Sequence, residues 1–167
     1  MRLNLLDRIL ELEPGKRIRT VKNLTLAEEY LADHFPTFPV MPGVLMLQTL
    51  VESAAWLLRI TEDFQHSVIV LRDVKNVKYG TFMEPGKFMI ATVEMIEPAP
   101  GSSEVTFKGK AEAEGQSTVS AKFTVKRYNL ADMNPAHRIV DERIVAHLRQ
   151  HLIALRGEFR NQEAAKA

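Results

Sequence analysis

The sequence contains no cysteine in its 167 residues, which excludes disulfides and thiolate metal sites and fits a reducing compartment. It also lacks an excess of either charge. Scattered along the chain, 22 Lys and Arg stand against 21 Asp and Glu, for a formal net charge of +1. Such a chain offers no electrostatic footprint for a polynucleotide, so nucleic acid is not an expected partner. Long hydrophobic runs are missing as well. No stretch approaches the roughly 20 uninterrupted apolar residues that a membrane span needs. The start "MRLNLLDRIL" has short apolar runs broken by Asp7 and Arg8, unlike the core of a secretory signal. No membrane span is expected, and the expected location is the cytoplasm. The sequence has no internal repeat and no glycine-rich phosphate nest; "EPGK" and "MEPG" are turns.

What is present is enough for one core. With 46% hydrophobic and 26% charged content, residues 1–167 are expected to form a single domain. Residues 3–23 carry apolar segments on both sides of Glu13–Lys16, the pattern of a hairpin. Thr25 as N-cap with Glu28 three residues later predicts a short helix ending near His34. Prolines at 36, 39 and 42 forbid helix there and predict an extended path. Val44 to Arg59 then reads as a helix buried on nearly every side. Residues 67–80, 87–98, 103–115 and 117–129 are β-branched and partly alternating, separated by turn signals, and predict an antiparallel meander. A last amphipathic helix is predicted over 134–156, with Pro135 at its first position and Val140, Ile144, Leu148, Leu152 and Leu155 on its apolar face. The tail to residue 167 is expected to fray. The whole is an α+β architecture, an antiparallel sheet wrapped around a long central helix with an added C-terminal helix. A sheet covers such a helix on one side only, so a second copy of the chain is expected on the other.

Chemistry concentrates in "HFPTFPVMPGVLMLQTLVES", residues 34–53. Read alone, His34 suits a hydrogen-bonded helix end and the Pro-x-x-Pro-x-x-Pro run a polyproline ligand. The spacing of the stretch says more. His34, Phe35, Pro36, Pro39, Pro42, Gly43, Val44 and Leu45 resemble the signature of the β-hydroxyacyl-acyl carrier protein dehydratases, FabZ and FabA. The resemblance extends more weakly over residues 4–128. It implies the hotdog fold, a 3-hydroxyacyl thioester dehydratase or enoyl hydratase of fatty acid metabolism, no cofactor, and an acyl carrier protein or coenzyme A thioester as substrate. It implies His34 as catalytic base, Gly43 and Val44 as backbone N–H donors to the thioester oxygen, and Phe35 and Pro42 beside the substrate. Histidine and a helix N-terminus suit those roles, because one exchanges protons near neutral pH and the other favours developing negative charge.

One position departs from that signature. Fourteen residues after the histidine the family carries Glu or Asp, supplied across the dimer interface; this chain has Gln48, and Glu52 stands four residues later, where the family usually has Gln. An amide can donate a hydrogen bond but cannot hand over a proton at neutral pH. Three readings stay open: Glu52 acts as the acid through a bridging water, His34 does all the proton transfer while Gln48 orients the hydroxyl, or the chain is a catalytically inactive partner of an active relative in a hetero-oligomer. A hotdog thioesterase is a further alternative. Gln48 and Glu52 would equally serve a buried interface by pairing with each other. After Tyr79, where the family often has basic residues, Gly80 and Thr81 stand, leaving Arg72, Lys75 and Lys78 to attract an acidic carrier. His147 and His151 have the four-residue spacing of a helical metal pair but no evident third ligand, and are read as a solvated face.

Overall fold

A computed structural model of the chain describes residues 3–96 and 98–157. Alternation of apolar and polar side chains builds six strands: β1 (Arg8–Glu13), β2 (Arg17–Asn23), β3 (Val68–Tyr79), β4 (Phe88–Ile96), β5 (Glu104–Ala113) and β6 (Gln116–Tyr128). Two long helices accompany them, α1 (Gly43–Thr61) and α2 (Arg138–Arg156). The strands form one antiparallel sheet in the order β1-β2-β4-β5-β6-β3. The expected meander is therefore correct for β4, β5 and β6 only. β3 leaves its neighbour in sequence and pairs with β6, while β2 from the hairpin takes the place beside β4. The long α1 crossing between β2 and β3 carries the chain to the far edge.

α1 lies against five of the six strands. Leu50, Ala54, Leu57 and Leu58 on it are buried with Val93, Phe107, Val119, Phe123 and Val125 from the sheet. Gly109 leaves room for this packing, since a β-carbon there would sit 3.1 Å from both Leu50 Cδ1 and Phe123 Cε1. By length and composition α1 is apolar enough to cross a membrane; in this fold it is the core helix. Polar residues on its inner face are satisfied locally: Ser53 Oγ donates to the Thr49 carbonyl at 2.7 Å and meets Thr20 Oγ1 at 2.8 Å.

The helix expected over residues 25–34 shrinks to a single 3-10 turn, Glu29–Leu31. Thr25 Oγ1 accepts from the Ala27 N–H at 3.2 Å, and Glu28, instead of closing a capping box, turns its carboxylate to Lys22. Nor is the path after it straight. Residues 35–38 turn, with the Phe38 N–H donating to the Phe35 carbonyl at 2.7 Å, before the chain extends into Pro42.

The C-terminal helix is present where the periodicity predicts it, a 3-10 turn at Pro135–His137 leading into α2, and Gly157 ends it with φ +70. Its inner face differs from expectation by one position. Val140 is 42% exposed and the buried residue beside it is Asp141. Asp141 accepts hydrogen bonds from Ser67 Oγ and from the N–H groups of Leu130 and Ala131, both at 2.9 Å. A carboxylate that collects three donors anchors the helix start better than a valine would. Val145, Leu148, Leu152 and Leu155 continue that face onto the core. The tail expected to fray lies, from residue 158 on, outside the described residues.

Candidate active site

His34 stands three residues after the buried Leu31, on the loop between the 3-10 turn and α1. Its ring tilts at 50° against Phe35, centroids 4.4 Å apart. Phe35 has φ +49, in the left-handed region that a bulky residue adopts only where the surroundings impose it, a strain of about 1–3 kcal/mol. Farther along the loop, Val40 and Met41 are buried and the Met41 N–H donates to the Met83 carbonyl at 2.8 Å. Phe38 meets Phe82 edge-on at 5.7 Å.

Pro42 caps α1 with its carbonyl, which accepts from Leu45 at 2.9 Å and Met46 at 3.1 Å. Ahead of those, the N–H groups of Gly43 and Val44 have no hydrogen-bond partner among the described residues, and the first turn carries no acidic side chain. The helix tip is thus a pair of free donors at the positive end of the helix dipole. Val44 is 69% exposed. The Tyr79 ring lies against the α-carbon of Gly43, where a β-carbon would meet ring atoms at 3.0–3.3 Å. Phe35, Phe38, Val44, Tyr79 and Phe82 remain exposed around this tip.

Farther along α1, Gln48 and Glu52 come together. Burial raises the Glu52 carboxyl above its ordinary value; against it act a hydrogen bond from the Gln48 side chain, the Arg59 charge, the Leu5 backbone N–H and the Lys22 charge. Arg59 is itself held down to about 10 by burial, with Glu52 opposing, and its guanidinium lies 5.3 Å from the Trp56 ring centroid. His34 joins neither Gln48 nor Glu52: among the described residues, no hydrogen bond or ion pair links them. The structure therefore places His34 with Phe35, Gly43 with Tyr79, and Gln48 with Glu52.

Residues 1–122 match the model of the FabA-like domain. The chain belongs to the FabA-like family. It is 38% identical over 124 residues to the 3-hydroxyacyl-[acyl-carrier-protein] dehydratase FabZ of Albidiferax ferrireducens, covering 72% of this chain and 81% of that one. To FabZ of Janthinobacterium sp. it is 34% identical over 137 residues, 80% of this chain and 86% of that one. Against FabZ of Wolbachia pipientis and of Levilactobacillus brevis it spans 60% and 62% of their length, at 37% and 39% identity over 52% and 55% of this chain. Among solved structures, the dehydratase heterocomplex ApeI:P from Xenorhabdus doucetiae superposes with a TM-score of 0.64 at 10% identity, over 81% of this chain and 90% of that one. A Streptococcus mutans protein bound to acetyl CoA gives 0.56 at 12%, over 76% and 92%. At such identities the likeness speaks for the fold, which is the hotdog fold.

Part of the polar machinery of this FabA-like chain escapes motif reading. Lys22 is only 4% exposed, and its ammonium sits 2.6 Å from Glu28 Oε1 and 3.7 Å from Asp7 Oδ1. The signal was available: inward residues of β2 alternate as Ile18, Thr20, Lys22. Arg59 was equally legible, standing seven residues after Glu52 on the same helical face. His151 is not on a solvated face as expected, since its ring packs edge-on against Trp56 at 5.5 Å. His147 lies 6.5 Å from it, centroid to centroid.

Proposed function

We propose that the chain dehydrates 3-hydroxyacyl thioesters, and hydrates the corresponding enoyl thioesters, in a crevice shared by two copies. In the dehydrating direction the His34 imidazole takes the α-proton of the acyl chain. The thioester oxygen, gaining negative charge, accepts from the Gly43 and Val44 N–H groups. The C3–O bond then breaks and the hydroxyl leaves as water with a proton delivered from Glu52 through a bridging water. Catalysis of this kind needs no cofactor. The observation that carries the reading is Glu52: a carboxyl one turn, about 5.4 Å, from the family's acid position, raised by burial so that it holds a proton nearer neutrality. Gln48, hydrogen-bonded to it, keeps that carboxyl oriented. The exposed aromatic rim of Phe35, Phe38, Tyr79 and Phe82 suits an acyl arm entering on a carrier protein or coenzyme A. The absence of cysteine agrees with a cytoplasmic setting.

The shared crevice needs a second copy. β3 ends the sheet and its outer edge carries exposed Val70 and Leu71, a template for antiparallel pairing with another β3 in a homodimer. A second reading is favoured by Gln48 itself, which holds no acidic proton for the other copy's His34: the chain then serves as the silent partner of an active relative in a mixed dimer. Incubation with 3-hydroxyacyl and enoyl thioesters of both carriers separates the readings. Turnover by the wild type that is lost in Glu52→Gln supports the displaced acid. An inert wild type that becomes active as Gln48→Glu supports the silent partner, and release of free thiol would point instead to thioester hydrolysis.

A further inference from the structure

We propose that Lys22, buried on β2, is a positioning residue that couples the two halves of the site, fixing the approach to His34 through Glu28 and facing Glu52 on α1. The activity arm of this inference rests on the dehydratase reading above; its structural arm does not. An ammonium as buried as that of Lys22 persists only where it is paired, and here it is paired twice. Asp7 belongs to the stretch leading into β1, and its Oδ2 also accepts from the Asn23 N–H at 2.5 Å. Glu28 opens the 3-10 turn, and its carbonyl accepts from the Leu31 N–H at 3.0 Å. The ion pair thus holds the start of the turn and the buried Leu31 its end, and His34 follows three residues later.

Toward α1, Thr20, the inward residue of β2 just before Lys22, meets Ser53 Oγ at 2.8 Å, which brings this face of β2 against the part of α1 that carries Glu52, and the Lys22 charge acts on that carboxyl. The groups around that carboxyl are Gln48 and Arg59 from α1, the Leu5 N–H from the N-terminal stretch, and Lys22 from β2. Beyond Arg59 lies His151 of α2. The Tyr30 hydroxyl is buried without a hydrogen-bond partner among the described residues and faces the charges of Asp7 and Glu28, which with burial keep it protonated. In this layer three carboxyls, Asp7, Glu28 and Glu52, stand with two cations, Lys22 and Arg59. Burial pushes the Glu52 carboxyl toward its protonated form. Lys22 is one of the groups that oppose this, after the Gln48 hydrogen bond, the Arg59 charge and the Leu5 N–H: a cation nearby favours the ionised carboxylate, so its removal moves Glu52 ionisation to higher pH.

The test uses Lys22→Met and Lys22→Arg in the full chain, with the Glu52 carboxyl followed by carbon NMR and assigned by its loss in Glu52→Gln. Lys22→Met is expected to move the Glu52 titration to higher pH. In the dehydrating direction it carries the basic limb of the kcat profile the same way and lowers kcat about tenfold with KM little changed, while Lys22→Arg restores both. An unmoved Glu52 titration in folded Lys22→Met overturns the proposal, as does a loss that Lys22→Arg shares. Should Lys22→Met not fold, Glu28→Gln tests the other half: it is expected to shift the His34 ring resonances, and unshifted resonances overturn the coupling. A wild type that turns over no thioester defeats the dehydratase reading, while the NMR arm still decides the link between Lys22 and Glu52.

Discussion

Gly43 carries more of the site than its size suggests, because one position serves two demands: an open N–H at the helix tip and room for the Tyr79 ring. Gly43→Ala forces its new methyl to within 3.0 Å of that ring. Since Tyr79 is half exposed and able to swing away, the expected loss is catalytic: about tenfold in kcat with little change in melting temperature. Tyr79→Ala in the same chain is expected to recover much of it, and steady-state kinetics of the two single variants and the double one check this. The glycine and the exchange of Gln48 with Glu52 were both legible in the sequence, because each sits at a fixed distance from His34 in a motif. The burial of Lys22 was legible from the alternation of β2, but its pairing with Asp7 and Glu28 was not, and nothing local marks the Tyr30 hydroxyl as buried without a hydrogen-bond partner among the described residues. No spacing within residues 20–30 announces that a lysine on β2 faces Glu52 on α1.

At the scale of elements, β3 to β6 were read to within a residue or two because their alternation and turns are local, while β1 begins at Arg8, five residues into the stretch read as the hairpin. Neighbours joined by short turns, β1 with β2 and β4 with β5 and β6, were read as well; the pairing of β2 with β4 and of β3 with β6 was not, because it depends on the whole length of α1 crossing between β2 and β3. The helix expected over residues 25–34 failed for a related reason, since Glu28 finds a stronger partner in Lys22 than in its own helix cap. Two predictions belong here. Gly109→Ala inserts a methyl between α1 and the sheet, at 3.1 Å from Leu50 and Phe123, and is expected to cost about 1–3 kcal/mol in urea unfolding with the slope unchanged. The second concerns α2. Burial, then the charges of His147 and Arg59, hold the His151 ring below its ordinary value of 6.5. The docked helix therefore favours the neutral ring, and its docking is intact above pH 6.5 and weakens as pH falls through that value toward the lower one. Amide exchange in residues 145–155, corrected for intrinsic rates, is expected to be faster at pH 5.5 than at pH 7.5. His151→Phe, which keeps a ring on Trp56, is expected to remove the difference.

The molecule as a whole has two unequal sheet edges. β1 has one exposed leucine, Leu10, among charged neighbours, with Glu11 paired to Arg17 and Arg19 and Glu13 to Lys16 and Arg17, whereas β3 exposes two adjacent apolar residues, Val70 and Leu71, ahead of its own charged stretch of Arg72, Asp73 and Lys75. Association through β3 is expected to give a sedimenting species of about twice 18.9 kDa, and Leu71→Lys to shift it toward the monomer with loss of activity. If Leu71→Lys stays dimeric and active, the two copies meet elsewhere. The general architecture, a sheet around a buried helix, was legible from apolar patterning; the cover expected from a second copy is supplied at least in part by the same chain, where His151 of α2 packs on Trp56 and Leu5, Leu6 and Leu155 join the core of α1. The central claim is that His34 moves the proton at the α-carbon of a thioester held at the tip of α1. Hydration of an enoyl thioester in deuterium oxide reads that proton directly by mass spectrometry. The wild type is expected to yield 3-hydroxyacyl product with one deuterium at C2, and His34→Ala to form it at least a hundredfold more slowly. A wild type that forms no such product, or a His34→Ala variant that forms it as fast, would contradict the account.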